Sequence, residues 1–170
     1  MPELRPWLAA LVLLLAPVTV ASAGPKAAIF PFELIDASLE GELGGPRADE
    51  AQRLALVTHE LRLLAAREGG YDLIDLSGVT AEIEKAAPLR RCGGCEVEIA
   101  RRVGADIAIT GTVRKVSNLI LGFHIQVRDV TSGRLIRVLQ ADIRGNTDES
   151  WLRGIRWLVA NRLLEPQTPQ

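Results

Sequence analysis

The chain is short of cysteine, aromatics and surplus charge, and each shortage excludes something. Two cysteines in 170 residues cannot make the dense disulfide framework of a small secreted scaffold. Two thiols also need further ligands to hold zinc, and the two histidines, His59 on the long helix and His124 on a strand, are not expected to converge with them. With 20 basic and 21 acidic residues the net charge is −1. Nucleic-acid binding would need a basic stripe, and adhesion to anionic lipid would need a polybasic segment; neither is present. Aromatic residues make up 4 % of the chain, so a tryptophan left on the surface would be informative. There is no internal repeat.

Long hydrophobic runs are missing too, apart from one near the start. Trp7 through Val20 is apolar, follows the single basic residue Arg5, and ends in the small residues Ala21-Ser22-Ala23. A spanning helix needs about 20 apolar residues. This run is shorter, contains Pro17 and closes on an A-x-A pattern, so residues 1–23 are expected to be a secretory signal peptide cleaved after Ala23. The first cysteine is Cys92, so no lipid-anchor cysteine follows the run. The expected product is periplasmic, without a stable membrane anchor after cleavage. It is a single αβ domain over residues 24–164 with a frayed tail over 165–170.

Periodicity then assigns elements. Residues 26–34 read as one short apolar strand with Pro31 at an end or edge. A polar, glycine-rich loop follows from Asp36 to Pro46. Leu54, Val57, Leu61 and Leu64, widened by Ala51, Ala55 and Ala65, predict a helix over 47–68, stopped by Gly69-Gly70. Residues 71–76 read as a strand. Short helices follow over 79–86, ended by Pro88, and over 96–103. Strict alternation over 107–114 and 121–128, then 134–144, predicts a C-terminal antiparallel meander turning at Ser117-Asn118 and Thr131-Ser132-Gly133. Asn146, with Glu149 three residues on, resembles a capping box opening a last helix. The order β-α-β-α-α-β-β-β-α implies an α/β (α+β) fold, a mixed sheet with helices packed against it.

The candidate chemistry is sparse. Cys92-Gly93-Gly94-Cys95 has the C-x-x-C spacing and sits where a helix is expected to begin, with Arg90, Arg91, Arg101 and Arg102 nearby. Cationic neighbours and a helix N-terminus activate a thiol, while Glu96 and Glu98 oppose that. A structural disulfide clipping loop to helix, a redox pair and a metal site all fit the spacing, and no strand leads directly into it as a thioredoxin-type site requires. The histidines are not expected to join the cysteines, and a haem attachment would need His at 96. No G-x-S-x-G is present, and the glycines at 41, 44 and 45 match no phosphate-loop spacing. No catalytic residues, metal site or cofactor are therefore assigned. Trp151 and Trp157, six residues apart on the last helix, point in different directions; either can be core, and one exposed would be a docking anchor for a partner.

Several motifs resemble one group of proteins. Ala28-Ile29-Phe30-Pro31-Phe32 is similar to a V-x-P-F opening strand, and Tyr71-Asp72-Leu73-Ile74-Asp75 to the strand that follows. Ile99 through Val113, with Gly104-Ala105-Asp106 and Gly111-Thr112-Val113, is similar to a helix, G-A-D and a strand ending in G-x-V. Asp129-Val130-Thr131-Ser132-Gly133-Arg134 resembles a D-x-x-T-G-x hairpin. These features resemble the αβ domain shared by the N-terminal domain of TolB, CsgG and the penicillin-binding-protein activator lipoproteins of the bacterial envelope. The chain is also similar to a bacterial family of secreted single-domain proteins of unknown function, which has a cysteine pair before the G-A-D strand and a stretch like Thr147 to Trp151. The resemblance implies a non-catalytic accessory domain of the cell envelope that binds a protein partner. The alternative from the residues alone is a thiol–disulfide or electron-handling factor using Cys92 and Cys95.

Overall fold

The computed structural model describes residues 24–163 except Gly69, so the proposed signal segment and the C-terminal tail lie outside the described residues. The first apolar run forms two strands where one was expected. Proline has no N–H to give to a ladder, and the strand breaks around Pro31 into β1 (Lys26–Ile29) and β2 (Glu33–Asp36). Both run parallel to one long strand, β4 (Ile107–Lys115), β1 against its first half and β2 against its second. At the break the Phe32 N–H donates to Thr58 Oγ1 at 2.9 Å, so the backbone group lost to the ladder is satisfied from the neighbouring helix.

The glycine-rich segment is not all loop. It holds a short helix, α1 (Leu39–Gly44), capped by the Ser38 hydroxyl accepting from the Gly41 N–H. The long helix α2 spans Ala48–Arg67 and buries Val57, Thr58, Leu61 and Ala65. Leu54 and Leu64 are half-buried, and Ala51 and Ala55 face solvent, so the inward stripe is narrower than expected. β3 is reduced to Asp72–Leu73, and α3 (Thr80–Ala86) and α4 (Cys95–Arg102) follow. The meander is β4, β5 (Ile120–Asp129) and β6 (Leu135–Arg144), and it leads to α5 (Asp148–Leu158). The cap of α5 is Thr147 with Ser150, one residue beyond the Asn146–Glu149 pair that the sequence suggests. Asn146 is used elsewhere, as described below.

The strands form one six-stranded mixed sheet in the order β3-β1-β4-β5-β6, with β2 beside β4. β1 pairs in parallel with β3 and β4, whereas β4, β5 and β6 are antiparallel. On one face α2 and α5 cover a core of Ile109, Val113, Phe123, Ile125, Leu139, Leu61, Trp151 and Ile155. On the other face α3 and α4 cover a smaller core of Ala28, Phe30, Ala108, Ile83, Val97 and Ile99. That second layer stops short. Thr110, Thr112, His124 and Gln126 lie beyond it half-buried, and Arg114, Val138 and Gln140 are exposed.

Candidate functional site

Cys92 and Cys95 are joined as a disulfide with Cα atoms 5.6 Å apart. Their setting differs from the expected helix start. Cys92 closes a 3-10 turn over Leu89–Arg91, and only Cys95 is the first residue of α4. Gly93 and Gly94 between them have φ values of 72° and 113°, the left-handed region that glycine enters without steric cost. Three of the four nearby arginines are engaged, Arg90 with Glu33 at 3.0 Å, Arg101 with the Val130 carbonyl at 2.6 Å, and Arg102 with Glu82 at 2.6 Å. A Glu96 carboxylate oxygen lies 3.7 Å from Cys92 Sγ, where its charge opposes a thiolate. The two sulfurs and Glu96 are close enough to hold an ion. As a disulfide, however, the sulfurs offer no thiolate, and Glu96 Oε1 is 3.1 Å from Arg128 Nε.

The disulfide loop overhangs the open part of the sheet and encloses a cleft of about 610 Å3 with Thr110, Thr112, His124, Gln126 and Arg128. His124 thus shares a cleft with the loop, which its sequence separation did not suggest. The Arg128–Glu96 pair is an ion contact without hydrogen-bond alignment, since Arg128 Nε is buried and lacks an aligned acceptor. Arg128 is positioned instead by the Gly133 carbonyl at 3.3 Å and Gln126 Oε1 at 3.2 Å. The cleft is polar, with Glu33 and Glu96 each set against an arginine; Thr112 and His124 face each other across β4 and β5 without a hydrogen bond between them among the described residues.

The two tryptophans part company. Trp151 is fully buried, its ring edge-on to Phe123 at 6.1 Å and its Nε1 donating to Asn146 Oδ1 at 3.0 Å. It is a core residue, so of the two expected docking candidates only Trp157 remains, 49 % exposed. Trp157 flanks a hollow of about 570 Å3 between α5 and β6, lined also by Ala141, Ile143, Arg144, Arg153 and Gly154. β6 is the last strand of the sheet, and its Leu135, Ile136 and Val138 are 43–47 % exposed.

A third cluster was not anticipated. Lys115 has no exposed surface, and its Nζ reaches Glu50 at 2.6 Å, Glu40 at 3.1 Å and Asp36 at 3.3 Å. Burial alone would lower the lysine pKa, but the hydrogen bonds it donates to these carboxylates outweigh that and hold it up at about 12. Asn146 Nδ2 donates to Glu50 at 2.7 Å and to Asn118 Oδ1 at 3.1 Å, which ties the β4–β5 turn to the start of α5. Glu50 Oε2 is buried without a partner. The signal was legible: period two places residue 115 on the inward face with 109, 111 and 113, and a buried ammonium must find carboxylates.

A family model described as "Protein of unknown function (DUF2380)" matches residues 25–163. No curated protein sequence matches the chain. Among solved structures, the LpoB C-terminal domain from Salmonella enterica superposes with a TM-score of 0.51 at 19 % identity, over 74 % of this chain and 87 % of that one. Lipoprotein GNA1162 from Neisseria meningitidis gives 0.52 at 16 % identity, over 85 % and 99 %. The PelC dodecamer from Paraburkholderia phytofirmans gives 0.50 at 15 % identity, over 85 % and 91 %. At such identities the likeness establishes a shared fold, one that a bacterial lipoprotein also carries. No helix among the described residues is long and apolar enough to cross a membrane.

Proposed function

This chain belongs to the family described as a protein of unknown function (DUF2380), and from that premise we propose that it is a non-catalytic periplasmic accessory domain that binds another envelope protein. The observation that carries the reading is the open edge of the sheet. β6 presents Leu135, Ile136 and Val138 to solvent, with Val138 on the face opposite α5, while the exposed Trp157 of α5 borders the C-terminal half of β6 on the other face. An uncovered edge strand with apolar side chains is a template for an added strand unless something blocks it. Residues 134–144 hold Arg134, Arg137 and Arg144 against the single acid Asp142, so the occupant is an extended, acidic segment of the partner, with Trp157 as its apolar anchor. The signal-type segment and the resemblance to envelope accessory domains support a periplasmic setting.

The test uses a photo-cross-linking residue at Val138 or Trp157 in cells, followed by mass spectrometry and reconstitution from purified proteins. The expected result is one envelope protein, linked through an acidic segment, whose binding weakens roughly tenfold or more with Trp157→Ala, the size of a hot-spot loss. Cross-links only to a second copy of the chain would replace the partner reading with self-association, the arrangement in which PelC is found. A partner captured by the same residue placed at exposed α2 positions, but not at Val138 or Trp157, would overturn the assigned surface.

The thiol–disulfide alternative is not favoured. Cys92 lies outside the helix start, Glu96 faces its sulfur, and Arg90 and Arg102 are paired with other carboxylates. In glutathione or dithiothreitol buffers the pair is expected to equilibrate as a structural disulfide, below about −300 mV. A value near −150 mV with an alkylatable Cys92 would restore the redox reading.

A further inference from the structure

The carboxyl ends of β1 and β3 lie side by side. Pro31, Phe32 and Glu33 leave the first, and Asp75, Leu76 and Ser77 follow the second. From β1 the chain passes through β2, beside β4, and α2 to β3, and then returns past β1 to β4. Ligand crevices of parallel sheets lie outside the carboxyl ends of the strands. A hollow of about 540 Å3 lies there, between α2 on one face and α3 on the other, within the size range of small-molecule sites. Its apolar walls are Phe32, Leu76, Ile83 and Leu89.

Its polar end is Arg62 and Asp75, which also border an adjoining hollow of about 190 Å3. The half-buried Arg62 donates through Nε and Nη2 to the Ile29 carbonyl at 3.2 and 2.7 Å. That side-on grip fixes the plane of the guanidinium and leaves the donors of Nη1 unspent. Among the described residues no carboxylate forms an ion pair with it. Asp75 is held by the Ser77 N–H at 2.9 Å and the Ser77 hydroxyl at 2.7 Å. The remaining charges at the rim are Glu84 and Glu33, the latter already paired with Arg90. A simple anion would meet Arg62 but also the repulsion of Asp75 and Glu84, and a simple cation would meet Arg62. A molecule carrying both charges next to an apolar body matches Arg62, Asp75 and the apolar walls together.

We propose that this hollow binds an apolar amino acid or dipeptide, its carboxylate on the open end of Arg62, its ammonium towards Asp75 and its side chains among Phe32, Leu76, Ile83 and Leu89. The test is titration of the protein lacking residues 1–23 with leucyl-leucine, followed by NMR shifts of residues lining the hollow and by calorimetry. Saturable binding is expected. Arg62→Met weakens it roughly tenfold, the loss of one charge-assisted contact. Acetylating the dipeptide's amine weakens binding to the unmodified protein but adds no further loss in Asp75→Asn. If Arg62→Met fails to fold, Thr80→Trp fills the hollow from the exposed rim without touching either charge, and binding should disappear. Absence of saturable binding at millimolar dipeptide, or binding indifferent to Thr80→Trp, overturns the proposal.

Discussion

Lys115 is enclosed by carboxylates that lie far from it in sequence, and its removal has a defined cost. Lys115→Met would leave Glu50 buried and charged beside its already unpartnered Oε2. Breaking a buried pair from one side costs about 3–5 kcal/mol, so denaturant unfolding should show a loss of that order, and adding Glu50→Gln should recover part of it. The same cluster sets the pH limits of stability. The Lys115 pKa rises from 10.5 to about 12, so its contribution is complete below 10.5 and fades as pH climbs from there towards 12. For Asp36, burial alone would raise the pKa, but the Ser38 and Lys115 hydrogen bonds outweigh it and lower the value from 3.8. For Glu40, the hydrogen bonds from Lys115 and Asn118 lower it from 4.5. Asp49, bonded by Arg47 and Arg53, is brought to about 2. Their contributions are complete above their ordinary values and fade as acid takes the pH below about 4. Melting temperature against pH should show a plateau bounded by these two declines; a maximum confined to neutral pH would contradict the assignment.

At the scale of elements, two glycines set how closely layers approach. A Cβ on Gly111 would sit 2.4 Å from the Phe32 ring, and one on Gly154 would sit 2.3 Å from Ile143 Cγ2. The first gap lets the β1–β2 break fold its phenylalanine over β4, and the second lets α5 lie on β5 and β6. Overpacking of this kind costs about 1–3 kcal/mol, so Gly111→Ala and Gly154→Ala should each lower thermal stability without changing the far-ultraviolet spectrum. The disulfide does less. It closes a very short loop, well below the 15-residue loop worth ~3 kcal/mol, and Val97, Ile99 and Ala100 hold α4 to the sheet without it. Cys92→Ser with Cys95→Ser should fold with a modest loss; outright unfolding would mean that the pair anchors the second layer.

For the whole molecule, the proposed address is checked at its N-terminus. The periplasmic form should begin at Gly24, which N-terminal sequencing reads directly. An uncleaved chain in the membrane fraction would overturn both the cleavage and the free periplasmic form. Much of the architecture was legible because it rests on local periodicity. The alternation over 107–114 and 121–128 announced the meander, and the spacing of Val57, Leu61 and Leu64 announced α2. Elements that depend on a distant partner were not legible. Leu39–Gly44 buries no residue, and polar bonds to Lys115 and Asn118 hold it from across the fold. Asn146 was read as a cap because Glu149 lies at the right spacing, yet its side chain is drawn away to Glu50 and Trp151.

What the sequence determined by itself is whatever acts between residues a few positions apart: most of the helices and strands, the turns and the mixed fold class. The tertiary structure alone decided which tryptophan is buried, which acids surround Lys115, and that the chain after β1 and the chain after β3 form one hollow with Arg62. Those outcomes depend on contacts between segments tens of residues apart. Periodicity shows that a face turns inward, but the order of strands in the sheet decides what that face meets.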